Sequence, residues 1–162
     1  MSLENSKRKL YDAEELHDFR ELVSKYEKLY SDKIAFTYKL DVKSKEYINK
    51  TYSDFVSDIK NLGTSLIGLG LSKKRVAIIA PNRYEWCVSY LAVTTSDMVV
   101  IPLDKSLPSN EIENLIIRSE AEAVIFDKNA DKKTAPASIT KIVTCMLVLE
   151  NCEDLNTPIT CK

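Results

Sequence analysis

The chain has 162 residues, of which 23 are basic and 24 acidic, so its formal net charge is −1. This balance creates no field that would attract nucleic acid or an anionic membrane, and we expect neither as a partner. No stretch approaches the ~20 apolar residues needed to span a bilayer and the amino terminus lacks an apolar signal sequence, so we expect a soluble, cytoplasmic protein.

The first half of the chain alternates helical and extended patterns. A helix is predicted from 13 to about 29, with apolar residues at helical spacing: Leu16, Phe19, Leu22, Val23 and Tyr26. A short strand is predicted at 34–38, and the charged stretch 41–50 predicts a solvated hairpin or loop. The strongest helix signal begins at Thr51 and ends at Gly70, which suits a left-handed stop. Its apolar face comprises Tyr52, Phe55, Val56, Ile59, Leu62, Leu66 and Leu69.

The stretch from 75 to 126 reads as three buried strands separated by two helices. Short apolar runs predict strands at 75–80, 98–103 and 123–126. Asn82, followed three residues later by Glu85, predicts the N-cap of a helix that runs to about Thr94. Pro108 with acids in the following turn predicts another helix start. Strands and helices that alternate with short connections indicate right-handed crossovers and a parallel sheet.

The pattern changes after Asp127. A polar linker at 129–134 precedes a predicted helix from 138 to about 150, whose apolar residues lie on most of its surface: Ile142, Val143, Cys145, Met146, Leu147 and Leu149. Such a helix needs burial on most sides, which predicts that it docks on the rest of the chain or drives self-association. The cysteines Cys145, Cys152 and Cys161 have neither CxxC nor zinc-cluster spacing, so we predict no metal site.

The region up to about residue 127 resembles the N-terminal subdomain of AMP-dependent acyl-CoA synthetases, with the long-chain fatty acid branch nearest. The resemblance is carried by the Tyr52/Phe55 helix, the run 75–78, Asn82 with Glu85-Trp86, the run 90–92, and Pro102-Leu103-Asp104. It departs at Ser96-Asp97-Met98, where the family usually has a glycine turn. The resemblance implies an α/β fold in three layers, with a partial parallel sheet and flanking helices, and the predicted helix at 138–150 adds a C-terminal helical appendage.

Carboxylate activation in that family implies ATP, Mg²⁺ and CoA for the parent synthetase, and we predict none of these cofactors for this chain. Backbone N–H donors and a lysine must surround the phosphates, and the family supplies them from a Ser/Thr/Gly-rich loop. The chain has three glycines, Gly63, Gly68 and Gly70, all in or just after one helix. Four basic residues could be proposed as phosphate contacts: Lys73, Lys74, Arg75 and Arg83. A solvated loop and a helix start explain their presence better. His17, the sole histidine, reads as a surface residue.

A second resemblance begins near residue 129. Ser138 and Lys141 form an S-x-x-K motif, in which positions i and i+3 share a helix face and the lysine can act as base to the serine. The segment around them resembles that of D-alanyl-D-alanine carboxypeptidases, the low-molecular-weight penicillin-binding proteins. The resemblance implies Ser138 as nucleophile and Lys141 as its base. The other two motifs of that active site do not occur in the sequence, so we expect the pair to be inactive here.

These observations predict three regions: a partial synthetase subdomain at 1–127, a junction at 128–137 and a partial carboxypeptidase segment at 138–162. The leading hypothesis is a non-catalytic fragment of an ATP-dependent acyl-CoA synthetase. The alternatives are a fragment of a serine-type carboxypeptidase that is acylated by β-lactams, and a non-enzymatic interaction module. Neither active site is complete in the sequence. The sequence therefore leaves open whether the chain is an enzyme.

Overall fold

The computed structural model describes residues 15–39 and 45–127. These residues form, in chain order, α1 (Phe19–Tyr30), β1 (Ile34–Tyr38), β2 (Ile48–Thr51), α2 (Tyr52–Gly68), β3 (Arg75–Ile79), α3 (Tyr84–Thr95), β4 (Val99–Pro102), α4 (Ser109–Arg118) and β5 (Ala123–Phe126). Within these ranges no helix is long and apolar enough to cross a membrane.

The core is a three-stranded parallel sheet in the order β4-β3-β5. The central strand β3 aligns Ala77 with Ile101 of β4 and with Val124 of β5. The run Val76 to Ile79 is buried on both faces of the sheet, as expected for the central strand of a parallel sheet covered on both sides. The predicted α/β fold with a parallel sheet is therefore confirmed, and its strands lie within one residue of the predicted runs.

Alternate residues of the strands point to the two faces of this sheet, which are covered unequally. On the wide face, Val76 and Ile78 join one large cluster of buried residues from α1, α2, α3, β5 and the position just before β4: Val23, Val56, Ile59, Leu62, Leu66, Tyr84, Val88, Ala92, Val93, Met98, Ala123 and Ile125. On the narrow face, Ala77 and Ile79 join only Ile112 of α4 and Val124 of β5 as buried residues.

Both crossovers of the sheet have the same hand. The chain moves from β3 to its neighbour β4 through α3 on the wide face, and then moves back past β3 to β5 through α4 on the narrow face. The second crossover runs across the sheet in the opposite direction to the first and on the opposite face, so the two crossovers have the same hand. Crossovers between parallel strands share one hand almost without exception.

Side-chain caps define where the first two long helices begin. Asp18 accepts a hydrogen bond from the backbone N–H of Glu21, so α1 begins at Phe19 and the predicted start at 13 is wrong; Leu16 precedes the helix. In α2, the Thr51 side chain and the Asp54 carboxylate form a reciprocal capping box, which is worth about 1 kcal/mol. After this helix Gly70 has a φ of 80°, which confirms the predicted left-handed stop.

The end of the predicted hairpin or loop at 41–50 is a strand. Residues Ile48–Thr51 form β2, which pairs antiparallel with β1 and aligns Tyr38 with Ile48. The hairpin alternative is thus correct for this pair of strands. The four residues of β2 contain one apolar side chain, Ile48, so the strand has no alternating pattern that would stand out in the sequence.

Two turns differ from the expectation. The N-cap of α3 is Arg83 and not Asn82, and no side-chain hydrogen bond caps this helix. At the end of α3, Asp97 has a φ of 59° and takes the left-handed conformation where the synthetase family usually has glycine. Aspartate tolerates this conformation, and its carbonyl accepts a hydrogen bond of 2.6 Å from the backbone N–H of Lys73.

The predicted junction at 128–137 and the predicted helix at 138–150 lie outside the described residues, and so do the proposed site residues Ser138 and Lys141.

Candidate functional site

The connectivity of the sheet predicts a crevice at the carboxyl ends of β3 and β4. These strands are neighbours, but the chain leaves β3 toward the wide face and leaves β4 toward the narrow face. Loops that separate in this way leave an opening between them, which is where open α/β sheets bind ligands. We call the space between segments 80–83 and 103–108 the crevice. It is the candidate functional site that the fold favours.

Charged and polar groups border the crevice. The guanidinium Nη1 of Arg83 lies 3.6 Å from Oδ2 of Asp127, which follows β5. Asp104 accepts hydrogen bonds from the backbone N–H and the hydroxyl of Ser106, at 2.8 and 2.6 Å. These bonds hold the pKa of Asp104 below its usual value. The Arg83 side chain is 61% exposed, so its ion pair contributes only about 0–1 kcal/mol.

A network of side chains lies beneath the start of α3, next to the crevice. The hydroxyl of Tyr84, the first residue of the helix, donates to Oδ2 of Asp58 in α2 at 2.6 Å. The ammonium of Lys50 in β2 donates to the same oxygen at 3.0 Å. We call Lys50, Asp58 and Tyr84 the anchor network. It joins the hairpin, α2 and α3 at one atom.

Aromatic rings pack around Tyr84, the buried member of the anchor network. Tyr38 of β1 stacks on Tyr84 with ring centroids 5.3 Å apart, and Phe36 and Phe55 pack at 5.2 and 5.8 Å. Tyr84 is only 7% exposed. Burial and the hydrogen bond to Asp58 raise the pKa of Tyr84 far above its ordinary value, so the hydroxyl stays a donor. A buried bond of this kind costs about 1–3 kcal/mol to break when it leaves a charged partner unsatisfied.

The electrostatics of Lys50 follow from its position over this cluster. Partial burial works to lower the pKa of Lys50, but the hydrogen bond and the charge of Asp58 raise it above the ordinary value. The ammonium also lies 5.5 Å from the centre of the Tyr84 ring, within the range of a cation–π contact. Lys50 therefore remains charged and bound to Asp58.

The cations that the sequence places close together lie at opposite ends of the sheet. Lys74 pairs with Glu122 at 2.6 Å and Arg75 pairs with Glu120, both at the amino ends of the strands. The backbone N–H of Lys73 binds the Asp97 carbonyl at that same end. Arg83 lies at the carboxyl end, beside the crevice. The arrangement supports the interpretation that Lys73, Lys74 and Arg75 have structural surroundings and do not form a phosphate site with Arg83.

A second concavity, of about 590 Å³, lies at the beginning of α1. It is lined by Leu16, His17, Asp18, Phe19, Arg20, Leu22 and Thr94. Its polar groups serve the helix start: Asp18 is the N-cap, and Arg20 donates to the carbonyl of Thr95 at 2.8 Å. The surface brings no set of catalytic groups together, and among the described residues no three His, Cys, Asp or Glu side chains are placed to hold a metal ion.

Sequence reasoning missed the anchor network. Asp58 interrupts the apolar surface of α2 between Phe55 and Ile59, and that interruption is the one local signal of its role. Its partners lie 8 and 26 residues away along the chain, so no local pattern identifies them.

Comparison with known proteins gives a consistent result. The sequence model of the family "AMP-binding enzyme" matches residues 24–159, a stretch that runs through the predicted junction at 128–137. The chain is 32% identical over 94 residues to fatty acyl-CoA synthetase A of Dictyostelium discoideum, which covers 57% of this chain and 14% of that protein. It is 28% identical over 103 residues to long chain acyl-CoA synthetase 3 of Arabidopsis thaliana, covering 61% of this chain and 16% of that one.

Solved structures agree at the level of the fold. The crystal structure of IdnL1 superposes with a TM-score of 0.65 at 14% identity, over 76% of this chain and 25% of that chain. The N-terminal subdomain of NpsA from Klebsiella oxytoca superposes with a TM-score of 0.64 at 20% identity, over 80% of this chain and 34% of that chain. The present chain thus spans a small part of the proteins that it resembles.

Proposed function

Because the chain belongs to the AMP-binding enzyme family, we propose that it forms part of the N-terminal subdomain of an acyl-CoA synthetase. The complete enzyme would activate a fatty acid with ATP and transfer the acyl group to CoA. The family match across residues 24–159 carries the proposal, and the parallel sheet with helices on both faces supports it. The fatty acyl substrate class is supported by the names of the relatives.

The described residues act in this proposal as a scaffold and not as the nucleotide site. A triphosphate needs several convergent N–H donors and cations. The crevice instead offers Arg83, already paired with Asp127, and the carboxylate of Asp104, which would repel phosphate. The glycines of the whole sequence lie in or just after α2. These residues do not fit ATP with Mg²⁺, so we assign them no step of the adenylation.

The first experiment measures carboxylate-dependent exchange of pyrophosphate into ATP by the purified chain. We expect no exchange with fatty acids of any length, because the sequence provides no set of groups to hold the triphosphate. Exchange that requires both a fatty acid and Mg²⁺ would contradict the scaffold proposal.

A complementary experiment tests the positive half of the proposal. The matching segment of the Dictyostelium synthetase is replaced by the aligned segment of this chain, and acyl-CoA formation by the chimera is measured. We expect activity, since the scaffold should present the same sheet to the rest of the enzyme. A folded but inactive chimera would argue that the chain has another role.

The carboxypeptidase resemblance remains a separate hypothesis about the origin of residues 138–162. It rests on Ser138, Lys141 and the residues around them, and the AMP-binding match extends across this segment to residue 159. We expect no acylation by penicillin. A covalent adduct, detected by mass spectrometry and lost in Ser138→Ala, would reverse that expectation.

A cytoplasmic location is also proposed, and fractionation of cells that express the chain tests it.

A further inference from the structure

The β1–β2 hairpin and α2 jointly fix the loop that borders the crevice. We propose that Lys50, Asp58 and Tyr84, the anchor network, are positioning residues that set the conformation of segment 80–83 and thereby place Arg83. The inference rests on the proposed function only in that segment 80–83 belongs to the proposed scaffold, and its structural content is testable in the chain itself.

The first support is the way in which α3 begins. Both α1 and α2 start at a residue whose side chain caps the helix, Asp18 and Thr51. The start of α3 has Arg83 at the N-cap position and no side-chain hydrogen bond to the free N–H groups of the first turn. A helix start without a cap frays easily. The first turn of α3 therefore depends on contacts to other elements, and Tyr84 makes them.

The second support is the difference between the two candidate anchors of this loop. Arg83 is exposed, and its ion pair to Asp127 spans 3.6 Å, so water and salt weaken it. Tyr84 is buried among Tyr38, Phe36 and Phe55, and its hydroxyl meets a carboxylate at 2.6 Å. Charge-assisted hydrogen bonds are the stronger class, and this one is partly buried. The position of the loop is accordingly decided at Tyr84, and Arg83 follows from it.

The third support is the part that the hairpin plays. Asp58 has two donors on one carboxylate oxygen, and one of them, Lys50, comes from β2. Because Tyr38 of β1 stacks on the Tyr84 ring, the hairpin contacts the anchor through both of its strands. A disturbance of the hairpin thus reaches the crevice through a continuous series of contacts from Lys50 or Tyr38 to Tyr84 and then, along the backbone, to Arg83.

The test uses hydrogen exchange of single amides, measured by NMR on the complete chain. The backbone N–H of Cys87 donates to the carbonyl of Arg83 at 3.3 Å and reports on the first turn of α3. In Tyr84→Phe we expect exchange of this amide to accelerate about tenfold, because the ring stays and only the bond to Asp58 is lost. Exchange of the Ile78 amide, in the central strand, should change much less. Lys50→Met should accelerate Cys87 exchange by a smaller factor, and Lys50→Arg should restore it.

Two control variants separate positioning from general stability. Tyr90→Phe removes a hydroxyl from the same helix while its ring still packs on Trp86 and Phe19, and we expect Cys87 exchange to be unchanged. Asp127→Asn removes the ion pair of Arg83 and should also leave it unchanged.

The proposal is overturned if Tyr84→Phe accelerates the Cys87 and Ile78 amides equally, since the effect is then global. It is also overturned if Asp127→Asn acts as strongly as Tyr84→Phe, or if no variant changes Cys87 exchange. An inactive synthetase chimera, by contrast, would count against the proposed function and leave these exchange results standing.

Discussion

The two faces of the central sheet differ in how much of the fold they stabilise. The wide face packs against α1, α2 and α3, and most of the buried residues lie on this side. The narrow face is covered by the ten-residue helix α4. Ile101, Leu103 and Phe126 on the narrow face remain only half-buried. A sheet that is equally apolar on both faces is thus unequally covered within residues 15–127, and the stability of this unit comes mainly from one side.

The largest expected effect comes from two adjacent isoleucines of β3. Ile78 faces the wide side and is 0% exposed, whereas Ile79 faces the narrow side and is 8% exposed. Ile78→Ala should lower the free energy of unfolding by about 3–5 kcal/mol, because the surrounding side chains cannot collapse into the cavity. Ile79→Ala should lower the free energy of unfolding by about 2 kcal/mol, which is near the lower limit for such substitutions. Urea unfolding measures both, and equal losses would remove the difference between the faces.

A smaller effect concerns the capping box that begins α2 on the wide side. Hydrogen bonds from the backbone N–H and the hydroxyl of Thr51 lower the pKa of Asp54 from its ordinary value of 3.8. The folded state therefore binds this proton less tightly than the unfolded state. The stabilisation is present above the ordinary pKa and is lost as the pH falls through the lowered one. Asp54→Asn should lower the free energy of unfolding by about 0.5–1 kcal/mol at neutral pH.

The pH dependence gives this prediction its check. The difference between Asp54→Asn and the unchanged chain should shrink in thermal unfolding as the solution is acidified, because protonated aspartate also lacks the charge. Glu113→Gln, on the exposed surface of α4, controls for the loss of one negative charge. A difference that stays constant into acid solution would mean that the carboxylate of Asp54 does not stabilise the helix start.

The smallest effect is expected on the narrow side. Ile117 of α4 is 65% exposed, so Ile117→Lys should change the free energy of unfolding by less than about 0.5 kcal/mol. The same measurement on Val93→Lys, on the wide side, should show severe destabilisation because the new charge would be buried. A loss above about 1 kcal/mol for Ile117→Lys would indicate that another part of the chain covers this residue.

The elements that could be predicted are those whose evidence is local. The runs at 75–80, 98–103 and 123–126 are apolar apart from Arg75, and β3, β4 and β5 lie within them. The capping residue Thr51 and the stop at Gly70 are also local features, and both ends of α2 agree with the prediction to within one or two residues.

The features that escaped prediction depend on contacts between distant residues. The sequence predicts an N-cap at Asn82 because an asparagine followed by a glutamate imitates a capping box, but the N-cap is Arg83, and Tyr84 is held by Asp58 of another helix. Likewise β2 is a strand because β1 pairs with it, and Lys50 and Asn49 give it no apolar pattern of its own. The resemblance to the synthetases supplied the fold, but no motif pointed to the anchor network.

The strand order has a consequence for how the chain is made. During synthesis β3 emerges first of the three strands, yet its second neighbour, β5, is the last to leave the ribosome. Until residues 123–126 appear, one edge of β3, which is apolar from Val76 to Ile79, has no native partner, and such an edge readily pairs with other nascent chains. Parallel pairing over this sequence separation is also slow to form. In the interval between the emergence of β3 and that of β5, we therefore expect the new chain to be exposed to incorrect strand pairing.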